Sequence, residues 1–128
     1  MQGLHLTADL SGCRAGSQLM TDASSLVAAL VAAVEAAGLR SLSQLAYQFP
    51  PSAQGPGGVT ATVLLAESHA CVHTWPEQAG VTLDVYVCNF GGDHSKAAHS
   101  LMNALIALFE PQTAQRHSLQ RGLFEQQN

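Results

Sequence analysis

The sequence predicts an α+β protein, a two-layer α/β sandwich whose mostly antiparallel sheet carries two helices on one face. Three observations support this class. The chain of 128 residues is long enough for one domain with one core. Several segments alternate between apolar and polar residues and follow one another through short connections, which favours antiparallel strands. Two longer segments have apolar residues at helical spacing, so the predicted order is β-α-β-β-β-α-β.

The N-terminal part begins with a strand and a helix. Apolar and polar residues alternate over residues 3–10, which predicts the first strand. Thr21-Asp22 can cap a helix over roughly 22–37, and Gly38 is suited to end it. The other predicted strands lie at 41–49, 59–66, 69–75, 80–88 and 112–119.

A loop and a second helix complete the predicted order. Residues 50–58 are rich in Pro and Gly, and this composition is typical of a loop. The second helix is predicted over roughly 93–109. Its apolar positions recur at helical spacing, at Ala97, Leu101, Leu105 and Leu108. We therefore predict one domain over residues 1–128.

Composition restricts the class of partner. Apolar residues make up 47% of the chain and charged residues only 11%, so either a second copy covers part of the surface or the chain is a small soluble domain. Lys and Arg are few and scattered, which argues against nucleic-acid binding. The apolar stretch 26–39 is interrupted by Glu35 and too short for a bilayer. Three cysteines and no signal-peptide pattern indicate the cytoplasm.

Chemically reactive groups are concentrated between Glu67 and Glu77. This segment holds a serine, two histidines, a cysteine, a tryptophan and two glutamates. Ser68 can serve as an ordinary cap or as a nucleophile, and a nucleophile needs a base or a strained carbonyl. On a flat strand His73 and Ser68 point to opposite faces. If they cooperate, either the chain bends or a second copy supplies one of them.

The sequence does not favour two other functions for the reactive segment. His69, Cys71 and His73 share one predicted strand face, as metal ligands do, but no fourth ligand has matching spacing, so we predict no metal. A Ser-His-Asp hydrolase is disfavoured because the chain lacks a Gly-x-Ser-x-Gly motif. Cys88 is either a buried structural thiol or a proton donor at a strand end.

Two further residues also have both structural and binding interpretations. Trp75 fits either the core or a surface that stacks on a flat ligand. Glu77 fits either a solvated loop or a carboxylate that accepts hydrogen bonds from a vicinal diol.

The reactive segment contains two blocks, Glu67-Ser68-His69 and His73-Thr74-Trp75-Pro76-Glu77. Together they resemble the signature of the prokaryotic S-adenosylmethionine decarboxylases. Supporting similarity covers roughly residues 3–122, with one loop insertion around 51–57. It includes Gly3-Leu4-His5-Leu6, Cys13, Gly58-Val59-Thr60, Asp84-Val85, Cys88, Asp93, Lys96-Ala97 and Arg121-Gly122.

The resemblance implies a self-processing proenzyme with a pyruvoyl cofactor. Ser68 would attack the Glu67 carbonyl, and the chain would break into a β chain, 1–67, and an α chain, 68–128. The pyruvoyl group left at residue 68 would form a Schiff base with the substrate amine and act as the electron sink of decarboxylation. The implied product is the aminopropyl donor of polyamine (spermidine) biosynthesis.

The resemblance also implies roles for other residues and a partner. His73 and Thr60 would assist processing, with Thr60 in place of the family's usual Ser. Cys88 would protonate the product carbanion. Phe49 and Trp75 would line the adenine and methionine pocket, and Glu77 would bind the ribose hydroxyls. The family implies a homodimer of processed protomers with sites shared across the interface.

Departures from the family pattern leave alternatives open. Tyr47-Gln48 replaces the usual His-Arg, and His94-Ser95 replaces Pro-Trp. These changes and the inserted loop allow a pyruvoyl-dependent decarboxylase of ornithine or arginine, or an unprocessed non-catalytic paralogue. Retention of Trp75 and Glu77 favours the nucleoside substrate, because a plain amino acid has no diol.

Overall fold

The computed structural model describes residues 2–14 and 16–124 and contains a six-stranded antiparallel sheet. The strands are β1 (Gly3–Ser11), β2 (Ser41–Gln48), β3 (Val59–Leu65), β4 (Ser68–Trp75), β5 (Gly80–Cys88) and β6 (Thr113–Arg121). The helices are α1 (Ser17–Thr21), α2 (Ala23–Ala36) and α3 (Ser95–Phe109), with a 3-10 turn at Pro76–Gln78. The strand order is β2-β3-β4-β5-β1-β6, so the predicted fold class is confirmed.

Helix α2 begins and ends at the predicted signals. The Asp22 side chain accepts a hydrogen bond from the Ser25 backbone N–H at 3.2 Å, which satisfies one of the free donors of the first turn. Gly38 has φ of 86° and donates its N–H to the Glu35 carbonyl. Such a left-handed residue after a helix is usually Gly, because a side chain would strain it. The predicted cap and end of this helix are therefore confirmed.

The element order differs from the predicted β-α-β-β-β-α-β in two respects. Four strands, not three, lie between α2 and α3, in agreement with the four strand ranges predicted there, and the short helix α1 was missed. Its five residues are too few to show a helical period, and so short a helix forms only when tertiary contacts hold it. Met20 supplies such a contact: its side chain is buried in the core, and its carbonyl accepts a 2.7 Å hydrogen bond from the Thr74 hydroxyl.

Thr74 gives the first testable prediction. Its buried hydroxyl donates to the Met20 carbonyl and accepts from the Val59 N–H at 2.9 Å. Thr74→Val leaves both backbone groups without a partner, so we expect a loss of about 3 kcal/mol in the free energy of unfolding. Urea denaturation of chains kept uncut by Ser68→Ala measures it. Thr82→Val, on the open face, is the control and should change stability by less than about 0.5 kcal/mol; equal losses would contradict the assignment.

The two faces of the sheet have different surroundings. On β4, Ala70, Val72 and Thr74 are buried, whereas His69, Cys71 and His73 are only partly buried, as the predicted alternation requires. The helices pack on the buried face. The opposite face, called the open face below, carries the partly buried set and several exposed apolar side chains. The apolar members are Leu45, Tyr47, Leu64 and Leu119.

No helix in residues 2–14 and 16–124 is long and apolar enough to cross a membrane.

Candidate active site

Ser68 follows a strained turn at the start of β4. Strands β3 and β4 form a tight hairpin in which Leu65 pairs with Ser68, so only Ala66 and Glu67 form the turn. Glu67 has φ of 57°, in the left-handed region that costs a non-glycine residue about 1 kcal/mol. The peptide bond that joins Glu67 to Ser68 is thus held at a conformationally unfavourable position.

Cys88 contacts this serine through its backbone. The Cys88 N–H donates a hydrogen bond to the Ser68 hydroxyl oxygen at 3.1 Å. Cys88 ends β5 and its side chain is buried, with 4% of the residue exposed. A fixed donor therefore lies beside the hydroxyl that the sequence predicts to react, and a thiol belongs to the same residue.

Asn89 orders the connection between this end of β5 and helix α3. Its side-chain oxygen accepts from the His94 N–H at 2.8 Å, and its amide nitrogen lies 3.4 Å from the Ser95 hydroxyl. Asp93 accepts from the Ser95 N–H at 2.9 Å, and this hydrogen bond lowers the pKa of the Asp93 carboxyl. The loop beside Ser68 is thus tied to the first turn of α3.

A second group lies at the other end of β4. Thr60 and His73 are direct cross-strand neighbours, and the Thr60 hydroxyl lies 3.0 Å from His73 Nδ1. The His73 ring stacks with the Trp75 indole at a centroid distance of 6.0 Å. The imidazole is therefore held from two sides, by a hydroxyl and by an aromatic ring.

A pocket of about 290 Å³ opens beside this second group. Thr60, His73, Phe49, Trp75 and Glu77 all line it. It therefore offers two aromatic rings and a carboxylate together, as the predicted adenine, methionine and ribose contacts require.

The loop that departs from the family pattern contributes Ser52, Gln54 and Pro56 to the pocket wall. Gly58 closes this loop against β4, where any Cβ would overlap the Thr74 carbonyl oxygen. A glycine is therefore required at this close approach.

The structure divides the predicted site residues into these two groups. Ser68, Glu67 and Cys88 lie at one end of β4 and β5, whereas Thr60, His73, Phe49, Trp75 and Glu77 lie at the other. Ser68 and His73 are five positions apart along β4, a distance of about 17 Å at about 3.4 Å per residue. The strand does not fold back between them, so one chain by itself does not bring both groups together.

Gln48 is a contributor that sequence reasoning missed. Its side-chain oxygen accepts from the Ala23 N–H at 2.9 Å, and its amide nitrogen lies 3.3 Å from the Gly58 carbonyl. It thus ties the pocket loop to the start of α2. No local pattern marks this role, because its partners are 10 and 25 residues away in the chain.

The chain is similar to a family of known proteins. The family model for S-adenosylmethionine decarboxylase matches residues 4–122. The S-adenosylmethionine decarboxylase proenzyme of Aquifex aeolicus is 39% identical over 127 residues, covering 98% of this chain and 85% of the relative. The proenzyme of Pyrobaculum islandicum is 33% identical over 126 residues, covering 97% and 91%.

A solved structure is similar as well. The crystal structure of the adenosylmethionine decarboxylase from Aquifex aeolicus superimposes with a TM-score of 0.79 at 35% identity, covering 98% of this chain and 95% of that one. These matches place the chain among the carboxy-lyases, enzymes that remove carbon dioxide from their substrates. Specifically, it belongs to the S-adenosylmethionine decarboxylase family, as the resemblance in its reactive segment predicted.

Proposed function

We propose that this chain cuts itself between residues 67 and 68 and then decarboxylates S-adenosylmethionine for polyamine synthesis. The observation that carries the proposal is Ser68 itself, placed after the strained Glu67 and hydrogen-bonded by the Cys88 N–H. Family membership supplies the reaction class. Mass spectrometry of denatured protein tests it: two fragments, 1–67 and 68–128, are expected, and a persistently intact chain contradicts self-processing.

The processing reaction uses only groups of the protein and one water. The Ser68 hydroxyl oxygen adds to the Glu67 carbonyl, the peptide C–N bond breaks, and an ester replaces it. Loss of a proton from the Ser68 Cα then expels the Glu67 carboxylate and leaves dehydroalanine. Its imine tautomer takes up water and releases ammonia, leaving a pyruvoyl group at residue 68. Conversion of the Glu67–Ser68 amide to an ester relaxes the tight turn and releases the strain of the left-handed backbone at Glu67. This strain therefore favours the first step.

The pyruvoyl group supplies an electron sink for decarboxylation. The residues around Ser68 fit the formation of such a group, because the Cys88 N–H donates to the Ser68 hydroxyl oxygen, the atom that leaves with the Glu67 carboxylate. The Cys88 thiol, at the end of β5, would hold the proton that the product carbon receives.

His73 and Thr60 act in this proposal as a pair. The Thr60 hydroxyl lies 3.0 Å from His73 Nδ1, which leaves His73 Nε2 as the nitrogen that would exchange a proton with a reacting group. His73 would move the proton that leaves Ser68, and Thr60 would orient it. Thr60 keeps the hydroxyl of the usual family Ser, so the hydrogen bond survives the replacement.

A homodimer resolves the separation of the two groups. In the proposed dimer the open faces of two copies stack on each other. The two-fold axis lies between these faces and runs perpendicular to the strands. This symmetry would lay the Ser68 end of one β4 over the His73 end of the other. Each complete site would then combine Ser68 and Cys88 of one copy with the pocket of its partner. The exposed Leu45, Tyr47 and Leu64 of the open face support this arrangement, because contiguous apolar surface of this kind is typical of interfaces.

The pocket favours a nucleoside substrate over ornithine or arginine. Phe49 and Trp75 offer aromatic faces for an adenine ring, and Glu77 offers a carboxylate for ribose hydroxyls. A linear amino acid would leave these rings without a partner. Release of carbon dioxide from each of the three candidate substrates distinguishes these substrates.

The free thiols of Cys13, Cys71 and Cys88 fit the proposed cytoplasmic setting.

Glu77→Gln tests the ribose contact. Hydrogen bonds to a charged group contribute about 1.5–3 kcal/mol, so we expect KM for S-adenosylmethionine to rise about 10- to 100-fold with little change in kcat. Gln54→Ala, which alters the pocket wall without touching a charge, is the control and should have a smaller effect. An unchanged KM in Glu77→Gln would remove the role assigned to this carboxylate.

A further inference from the structure

Three polar side chains outside the proposed catalytic groups converge on the open face. Asp84 lies on β5, between His69 on β4 and His5 on β1, and these three strands are adjacent in the sheet. One ligand atom of each residue lies within 4.8 Å of the others. Asp84 Oδ2 is 3.4 Å from His5 Nε2, and Asp84 Oδ1 is 3.4 Å from His69 Nε2.

These atoms are close together, yet two of them lack a hydrogen-bond partner. His5 Nε2 and Asp84 Oδ1 are shielded from solvent and have no hydrogen-bond partner among the described residues. Both contacts of 3.4 Å exceed the usual N–H···O distance of about 2.7–3.2 Å. A shielded polar atom without a partner costs about 1–3 kcal/mol. The geometry thus indicates a missing partner that can contact all three side chains at once.

We propose that His5, His69 and Asp84 bind one divalent transition-metal ion, with Zn²⁺ or Co²⁺ the best fit. Two imidazoles and one carboxylate are a common ligand set for such ions. Ligands at about 2.1 Å from a tetrahedral ion lie about 3.4 Å apart. Each imidazole Nε2 lies at this distance from one of the two Asp84 carboxylate oxygens. The fourth position is left to water or to a group from a covering surface. This site departs from the sequence prediction of no metal.

Arg121 competes with the metal for His5. Its guanidinium lies 3.0 Å from His5 Nδ1 and over the Tyr86 ring at 5.2 Å. Because a guanidinium only donates hydrogen bonds, His5 Nδ1 must accept and the ring proton must be on Nε2. A metal needs the Nε2 lone pair, and a ligating imidazole donates from its other nitrogen. Metal entry therefore requires Arg121 to leave and the His5 proton to move to Nδ1.

Cys71 is a neighbouring residue that must be distinguished from the ligands of the proposed metal site. It stands directly opposite Asp84 in the β4–β5 register, and its sulfur lies 3.4 Å from the Thr62 hydroxyl. Burial and the Asp84 charge raise the pKa of the Cys71 thiol. The Cys71 sulfur is not among the ligand atoms that lie within 4.8 Å of one another, so the proposed ligand set omits it.

The test titrates the full, untagged chain with Zn²⁺ by equilibrium dialysis and with Co²⁺ by visible absorption, in wild type and in the uncut Ser68→Ala variant. One ion per chain is expected. Asp84→Asn and His69→Asn should each weaken binding at least about 100-fold, because even outer-shell changes cost 10- to 100-fold. Arg121→Gln should strengthen it about tenfold, because a glutamine oxygen can accept from Nδ1–H.

Two matched variants complete the experiment. Cys71→Ser tests the excluded thiol, and His99→Asn removes an exposed histidine of α3; both should leave the affinity unchanged. Absence of binding in wild type and in Arg121→Gln would overturn the site and leave the cluster as ion pairs only. Binding that persists in both ligand variants, or that disappears in Cys71→Ser, would show that the ligand set is wrong. Circular dichroism confirms that each variant is folded.

Discussion

The Ser68→Ala chain is expected to remain one intact 128-residue species with no decarboxylase activity. Alanine has no oxygen to attack the Glu67 carbonyl, so the peptide bond survives and no ketone forms. The fold should persist, because Ser68 lies at the first position of β4 and accepts only one described hydrogen bond, from Cys88. This variant therefore separates processing from folding.

Mass spectrometry measures the loss of cleavage, and carbon dioxide release measures the loss of decarboxylase activity in the same sample. Ser43→Ala, on the exposed edge strand β2, is the matched control and should be cut and active like wild type. Cleavage at 67–68 in Ser68→Ala, or decarboxylation without cleavage, would exclude the proposed origin of the cofactor. An intact wild-type chain that binds S-adenosylmethionine without turnover would instead favour the non-catalytic paralogue.

Heterodimers of a Ser68→Ala chain and a His73→Ala chain are expected to recover about half of the wild-type activity, although each variant alone is inactive. In a two-fold dimer with shared sites, one site joins the intact Ser68 of one copy to the intact His73 of the other. The second site lacks both groups. The physical reason is the separation of about 17 Å along β4, which one rigid strand does not close.

The identity of the cut chain gives the decisive readout. Coexpressed chains with two different affinity tags allow the heterodimer to be isolated and its fragments weighed. The His73→Ala chain should be cleaved and the Ser68→Ala chain should remain whole. Cleavage of neither chain would indicate that each site is built within a single copy. As a control, the double variant paired with wild type should give no active heterodimer if sites are shared.

Local sequence patterns determined most of the architecture. The alternation over residues 3–10 became β1, and the Asp22 cap and Gly38 end defined α2. These signals are local, because strand alternation and helix capping depend on residues a few positions apart. Helix α1 escaped prediction for the same reason, since its stability comes from the Thr74 hydroxyl more than fifty residues away.

Candidate reactive residues were also predicted from the sequence, but their grouping was not. The sequence placed Ser68 and His73 on opposite faces of one strand and left open whether bending or a second copy unites them. The structure shows β4 paired without interruption to its neighbours, with Cys88 beside one end and the Trp75 pocket at the other. The roles of these residues remain predictions that the two experiments above address.

The sequence by itself determined the strands, the main helices and the segment that carries the family chemistry, because each is encoded by neighbouring residues. Only the tertiary structure decided which distant side chains meet. Gln48 meets the pocket loop, and Asp84 meets His5 and His69, through strand pairing between segments far apart in the chain. Sheet register fixes these contacts, and it depends on the packing of the whole core.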